Sequence, residues 1–86
     1  MGWSVELAPA AERSLRKLPL ETARRVARSL ARLEADPRPP GAVKLAGEDD
    51  LYRIRVGDFR VVYQVRDKVL VVLVLKIGHR RDVYRR

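Results

Sequence analysis

The chain has 86 residues, 47% of them hydrophobic, with 19 Lys or Arg against 11 Asp or Glu, a net charge of +8 and no cysteine. A chain this short buries only about 60% of its unfolded surface, which allows one modest core and a single domain over residues 1–86. Disulfides and thiolate-bound zinc are excluded, and a single histidine, His79, argues against a histidine metal site, so no cofactor is expected.

The N-terminal residues lack a charged segment followed by an apolar one, which argues against a secretory signal. The longest apolar run, Val69 to Leu75, is far shorter than the roughly 20 residues of a spanning helix. A cytoplasmic protein without a membrane partner is expected. Residues 1–50 carry nine basic and eight acidic side chains, residues 51–86 ten basic and three acidic. Such asymmetry fits a C-terminal half that meets a polyanion, the plainer alternative being a solvated basic face.

Trp3 to Leu7 alternates apolar and polar residues, as a strand with one buried face does. Pro9 suits a first helical turn, and Ala11, Leu15 and Leu18 make an apolar stripe on a helix over 9–18 that Pro19 ends. A second helix is expected from Leu20 to about Ala35, with Ala23, Val26, Ala27, Leu30 and Leu33 on one face. Two helices separated by one proline form a hairpin. Asp36 to Gly41 is proline-rich and turns the chain towards a loop over 42–50.

Three strands follow. Leu51 to Val56 places Tyr52, Ile54 and Val56 on one face and Arg53 and Arg55 on the other. Gly57-Asp58 suits a two-residue type II′ hairpin. Phe59 to Val65 puts Phe59, Val61, Tyr63 and Val65 inside, and Tyr52, Tyr63 and Trp3 read as core. Arg66 to Lys68 turns the chain into a strand from Val69 to Ile77 that is apolar on both faces, hence central, until Gly78 breaks it. The expected architecture is α+β, in the order β-α-α-β-β-β, an antiparallel sheet with a helical hairpin on one face.

The hairpin turn fixes the register so that Arg55 stands opposite Arg60, with Arg53 two residues along. Like charges in opposed cross-strand positions destabilise a sheet by a few tenths of a kcal/mol or more. A phosphate held between guanidinium forks accounts for the pair; the alternative is arginines splayed into water. Lys76 is expected on the same face, with His79, Arg80 and Tyr84 near the sheet's end. Such a group suits metal-free RNA cleavage. A 2′-hydroxyl loses its proton and attacks phosphorus, fixed cations stabilise the charged transition state, and the 5′-oxygen leaves. Tyr84, with its proton loosened by nearby arginines, is a candidate base, and His79 a candidate acid. On the second helix Arg24, Arg28 and Arg32, with Arg25 beside them, form a basic stripe. It is either a solvated face or, with the resemblance given next, a contact with ribosomal RNA.

The runs Leu51 to Val65 and Val74 to Tyr84, with Leu15 to Pro19 and Asp36 to Gly41 upstream, resemble RelE-type toxins of the RelE/ParE superfamily. The resemblance implies a ribosome-dependent mRNA endonuclease that cuts the A-site codon, and an acidic, partly helical antitoxin that wraps it. By position, Arg53 and Arg55 match a basic pair on the phosphate backbone, and Arg60 the arginine that stabilises the transition state. Arg80 matches a C-terminal arginine proposed to stabilise charge or protonate the leaving oxygen, and Tyr84 a proposed base. Lys76 and Arg81 join the phosphate-binding candidates. Lysine is common in the family where Arg53 and Arg55 stand, the spacing from Arg80 to Tyr84 is short, and some relatives use a histidine here, so His79 competes for acid or base. The alternatives are a ParE-like inhibitor of DNA gyrase and a non-catalytic RNA-binding or decayed toxin.

Overall fold

A computed structural model describes residues 2–45, 47 and 50–79. The elements are β1 (Ser4–Leu7), α1 (Pro9–Lys17), α2 (Leu20–Leu33), β2 (Val43–Lys44), β3 (Leu51–Val56), β4 (Phe59–Arg66) and β5 (Val71–His79). Pro9 opens α1, and the extended Leu18 and Pro19 separate it from α2, whose first turn closes with the Ala23 amide on the Pro19 carbonyl at 2.8 Å. The helices thus start and stop where proline demands.

The five strands form one sheet in the order β1-β5-β4-β3-β2. β2 to β5 form an antiparallel meander, but β1 pairs with β5 in parallel, Val5 beside Val72 and Leu7 beside Val74. The α+β class and the order of helices and long strands are as expected, and β5 lies between β1 and β4. The sheet, however, is mixed. No turn joins β1 to β5, so nothing local in the sequence specifies their relative direction. The expected loop over 42–50 also contains β2, a two-residue strand against Tyr52 and Arg53, too short to show a pattern.

Both helices cover the same sheet face. Ala11, Val26, Leu30 and Leu33 pack with Ile54, Val56, Val61, Tyr63, Val65, Val72, Val74 and Ile77 in one buried cluster, with Trp3 and Tyr52 partly buried against it. Each such aliphatic side chain contributes about 1.5–3 kcal/mol by leaving water. Ala27, by contrast, is exposed.

The proline-rich segment after α2 is pinned to this sheet. The buried Tyr63 hydroxyl donates to the Pro37 carbonyl at 2.8 Å. Arg38 donates to the Tyr52 hydroxyl at 2.9 Å and to both Asp67 carboxylate oxygens at 3.2 and 2.8 Å. Its guanidinium also lies 5.2 Å from the Tyr52 ring centre, and Tyr52 stacks on Tyr63. Arg38 therefore ties the helix-to-sheet connection to the β4–β5 turn. The fork holds the Asp67 carboxyl below the usual carboxylate range, and the same pair raises the arginine's own affinity for its proton.

Candidate nucleic-acid interface

The face of the sheet away from the helices carries Arg53, Arg55, Arg60 and Lys76. Its first part follows from one turn. Gly57 has φ +60° and Asp58 has no positive φ, as the two-residue type II′ turn requires, and the pairing is Val56 with Phe59, Arg55 with Arg60 and Ile54 with Val61. Arg55 and Arg60 are therefore direct cross-strand neighbours, with Cβ atoms roughly 5 Å apart in such a pair. Arg53 stands beside Val62 in the next row of the same face.

Lys76 completes that row by a different route from the one the sequence indicates. The β4–β5 turn spans Asp67 to Leu70 instead of Arg66 to Lys68, and Val65 pairs with Val72. Continued without interruption, this register would set Lys76 against Val61 in the core. A bulge at Leu75 intervenes: Tyr63 pairs with Val74, and Val62 with Lys76. The extra residue swaps the faces of everything beyond it, so Lys76 is exposed on the arginine face and Ile77 is buried opposite Val61. β5 also continues through Gly78, which pairs with Arg60, instead of breaking there.

The face thus holds two rows, Arg53–Val62–Lys76 and Arg55–Arg60–Gly78. Arg60 is only 9% exposed, the one buried charged side chain among the described residues. Arg55 is exposed and its Nε donates to the Gly57 carbonyl at 3.0 Å, which draws its guanidinium towards the turn. His79 goes elsewhere. It pairs with Phe59 and packs edge-on against that ring, centres 5.8 Å apart, so by register it belongs to the Val61 face and not beside Arg60. Arg80, Arg81 and Tyr84 lie outside the described residues. Among the described residues no group of three or more His, Asp or Glu side chains is placed to hold a metal ion, and no helix is long and apolar enough to cross a membrane.

The α2 stripe divides. Arg24 pairs with Glu21 at 3.6 Å on the exposed surface. Arg28 and Arg32 instead line a concavity with Arg25, Ser29, Arg55 and Gly57. The Arg25 guanidinium lies so close to the β3–β4 turn that a Cβ on Gly57 would sit 3.2 Å from its Nη1. Helical geometry carries a signal for this grouping: at 100° per residue, positions 25, 28 and 32 span about 60° of the helix, against about 80° for 24, 28 and 32. That Gly57 faces them is a tertiary contact with no local mark.

This fold has known relatives. A family model described as the ParE toxin of the type II toxin–antitoxin system parDE matches residues 5–84. The chain belongs to the RelE/ParE superfamily of type II toxins. It is 31% identical to toxin RelG of Mycobacterium tuberculosis over the full length of both. Among solved structures, the toxin resembles the RelE–RelB complex of Pyrococcus horikoshii, with a TM-score of 0.83 and 35% identity over 93% of this chain and 97% of that one. It also resembles the isolated RelE toxin of Escherichia coli, with a TM-score of 0.82 and 30% identity over 95% and 90% of the two chains.

Proposed function

We propose that this toxin is an endoribonuclease that cuts mRNA in the ribosomal A site. The observation that carries this reading is the pairing of Arg55 with Arg60, one row from Arg53 and Lys76, on an otherwise unremarkable sheet face. Opposed cations on neighbouring strands make a site in which a bound anion is held by more than one guanidinium. A scissile phosphodiester supplies that anion, and its transition state carries more charge than its ground state, so the same cations bind the transition state more tightly. The 2′-oxygen forms a bond to phosphorus as its proton leaves to a base. The bond to the 5′-oxygen breaks, and that oxygen takes up a proton. The products are a 2′,3′-cyclic phosphate and a 5′-hydroxyl end. Arg60 is assigned to the transition-state charge, and Arg53, Arg55, Lys76 and Arg81 to the backbone. Tyr84 and Arg80 are assigned to the proton transfers. The position of His79 beside Phe59 weakens its claim as acid or base.

A partner follows from the same charge. The P. horikoshii relative is solved as a RelE–RelB complex. An acidic, partly helical antitoxin that covers the cationic face is the corresponding partner here, with ribosome and mRNA as targets.

A second reading is favoured by one finding: the matching family model is described as ParE. A ParE-like toxin would poison DNA gyrase and leave mRNA intact. Primer extension on an mRNA under translation, run beside a gyrase cleavage assay, separates the two. Discrete codon cuts are expected for the wild-type protein and their loss for Arg60→Ala. Because Arg60 is buried, exposed Lys76→Ala is made in parallel, with folding checked by circular dichroism, and is expected to cut at least tenfold more slowly. Gyrase-dependent DNA breaks without mRNA cuts would replace the nuclease reading with the second.

A further inference from the structure

Arg25, Arg28 and Arg32 of α2 converge with Arg55 of β3 on one concavity beside the β3–β4 turn. Among the described residues none of the four takes part in an ion pair, whereas Arg16, Arg24 and Arg38 all do. No carboxylate is among the residues that line it, and Asp58 borders the adjoining hollow with Thr22. Four exposed guanidiniums in one hollow repel one another. Nothing in the packing requires them: the apolar face of α2 is made by Val26, Leu30 and Leu33.

We propose that this cleft is a second anion site that grips the phosphate backbone of structured RNA, apart from the Arg53–Arg60–Lys76 face. It rests on the reading of the toxin as acting on RNA. Three features select this ligand. The lining is polar, Ser29 and arginines, and its one apolar side chain, Val56, is 6% exposed, so a protein segment finds no pocket in which to anchor. Guanidinium forks suit phosphate oxygens, and two edges are already set: Arg25 lies against Gly57, and Arg55 is held by the Gly57 carbonyl. From Arg25 to Arg32 the helix rises about 10 Å, enough to span a few successive phosphates on one strand. Arg55 belongs to the cleft and to the sheet face at once, so one polyanion can run round the turn from one to the other.

The test uses the full-length toxin and a fluorescent RNA hairpin with 2′-O-methyl sugars, which cannot be cut. Anisotropy titrations from 50 to 300 mM sodium chloride give the slope of log affinity against log salt. Each phosphate contact contributes about 0.9 to that slope on a duplex. Arg25→Gln/Arg28→Gln/Arg32→Gln is expected to lower it by two to three, and Arg24→Gln, beside the cleft but paired with Glu21, by less than half of one. An unchanged slope in the triple variant overturns the proposal. So does an Arg24→Gln effect as large as that of each cleft arginine, because net charge alone would then explain binding. A poly-glutamate peptide that binds the wild-type toxin and not the triple variant, with the RNA slope unmoved, overturns it in favour of an acidic protein. All three positions are exposed, and circular dichroism of the variants verifies the fold. A toxin that cuts no mRNA yet shows the slope change keeps this site and loses the nuclease reading; one that cuts with an unmoved slope does the reverse.

Discussion

Asp67 and Tyr63 sit at the two ends of one small network that holds the segment after α2 on the sheet, and they give opposite responses to pH. The Arg38 guanidinium holds the Asp67 carboxyl below its ordinary value. A depressed carboxyl contributes stability that is present above its unfolded value, about 3.9, and is lost as pH falls through the folded one. Asp67→Asn should therefore lie below wild type in urea midpoint at pH 6, and the two curves should converge as pH falls from about 4 to 2. A gap of constant size would mean that the fork carries no linkage. Tyr63 shows the converse. Burial, with a smaller contribution from Tyr52, pushes its hydroxyl up to about 12. A raised group contributes stability that is present below the unfolded value of about 10 and is lost as pH rises towards the folded one. Tyr63→Phe leaves the Pro37 carbonyl without its donor and should cost about 1 kcal/mol at pH 7. Between pH 10 and 12 the wild type alone should weaken, so the difference shrinks. Equal slopes in that window would place the ionisation elsewhere.

At the scale of elements, the β4–β5 hairpin shows which features of register a sequence carries. The β3–β4 turn could be read because glycine marks its positive-φ position and leaves two residues between alternating runs. In the β4–β5 turn that conformation is taken by Leu70, at φ +55°, and no glycine marks the bulge at Leu75. The two unmarked events offset each other in parity. That is why Lys76 reaches the arginine face that simple alternation also gives it, with Val62 as its partner. The approach of Gly57 to the α2 arginines and the parallel β1–β5 pair depend on tertiary contacts and have no comparable signal. His79 is expected over the sheet's end because Gly78 is read as breaking the strand; β5 instead runs through Gly78, and ordinary alternation from Lys76 turns His79 towards Phe59. If Leu75 is the extra residue, its removal restores simple alternation: Val74 inward, Lys76 outward, Ile77 inward. Deleting Leu75 from this central strand should keep the fold, at a cost of about 1 kcal/mol for a half-buried side chain. The urea midpoint and the acetylation of Lys76, read by mass spectrometry, check this. An unfolded variant, or a Lys76 that has become protected, would mean that the bulge is itself required.

At the scale of the whole molecule, charge acts on folding and on binding with opposite signs. The protein carries +8 on a body of about 33 × 28 × 25 Å. At 0.01 M salt the screening length is about 30 Å, so every charge acts on every other; at 0.3 M it falls below about 8 Å and only neighbours interact. Stacked arginines on α2 and the Arg55–Arg60 pair each cost a few tenths of a kcal/mol, about 1 kcal/mol together. Screening removes much of that cost. The few ion pairs that screening weakens are exposed and contribute little, apart from the bidentate Arg38 fork. The melting temperature should therefore rise between 0.01 and 0.3 M sodium chloride, by about 4 °C or more for a domain of this size. Over the same range RNA affinity should fall by about five orders of magnitude if four phosphate contacts are made. Chloride is the ion of choice, because sulfate would stabilise the fold by a separate route. The two curves together distinguish a surface shaped for a polyanion from one that is merely soluble. A melting temperature that falls with salt would show that attractive pairs dominate the charge balance, and the repulsion that underlies the case for an anion between the arginines would be gone.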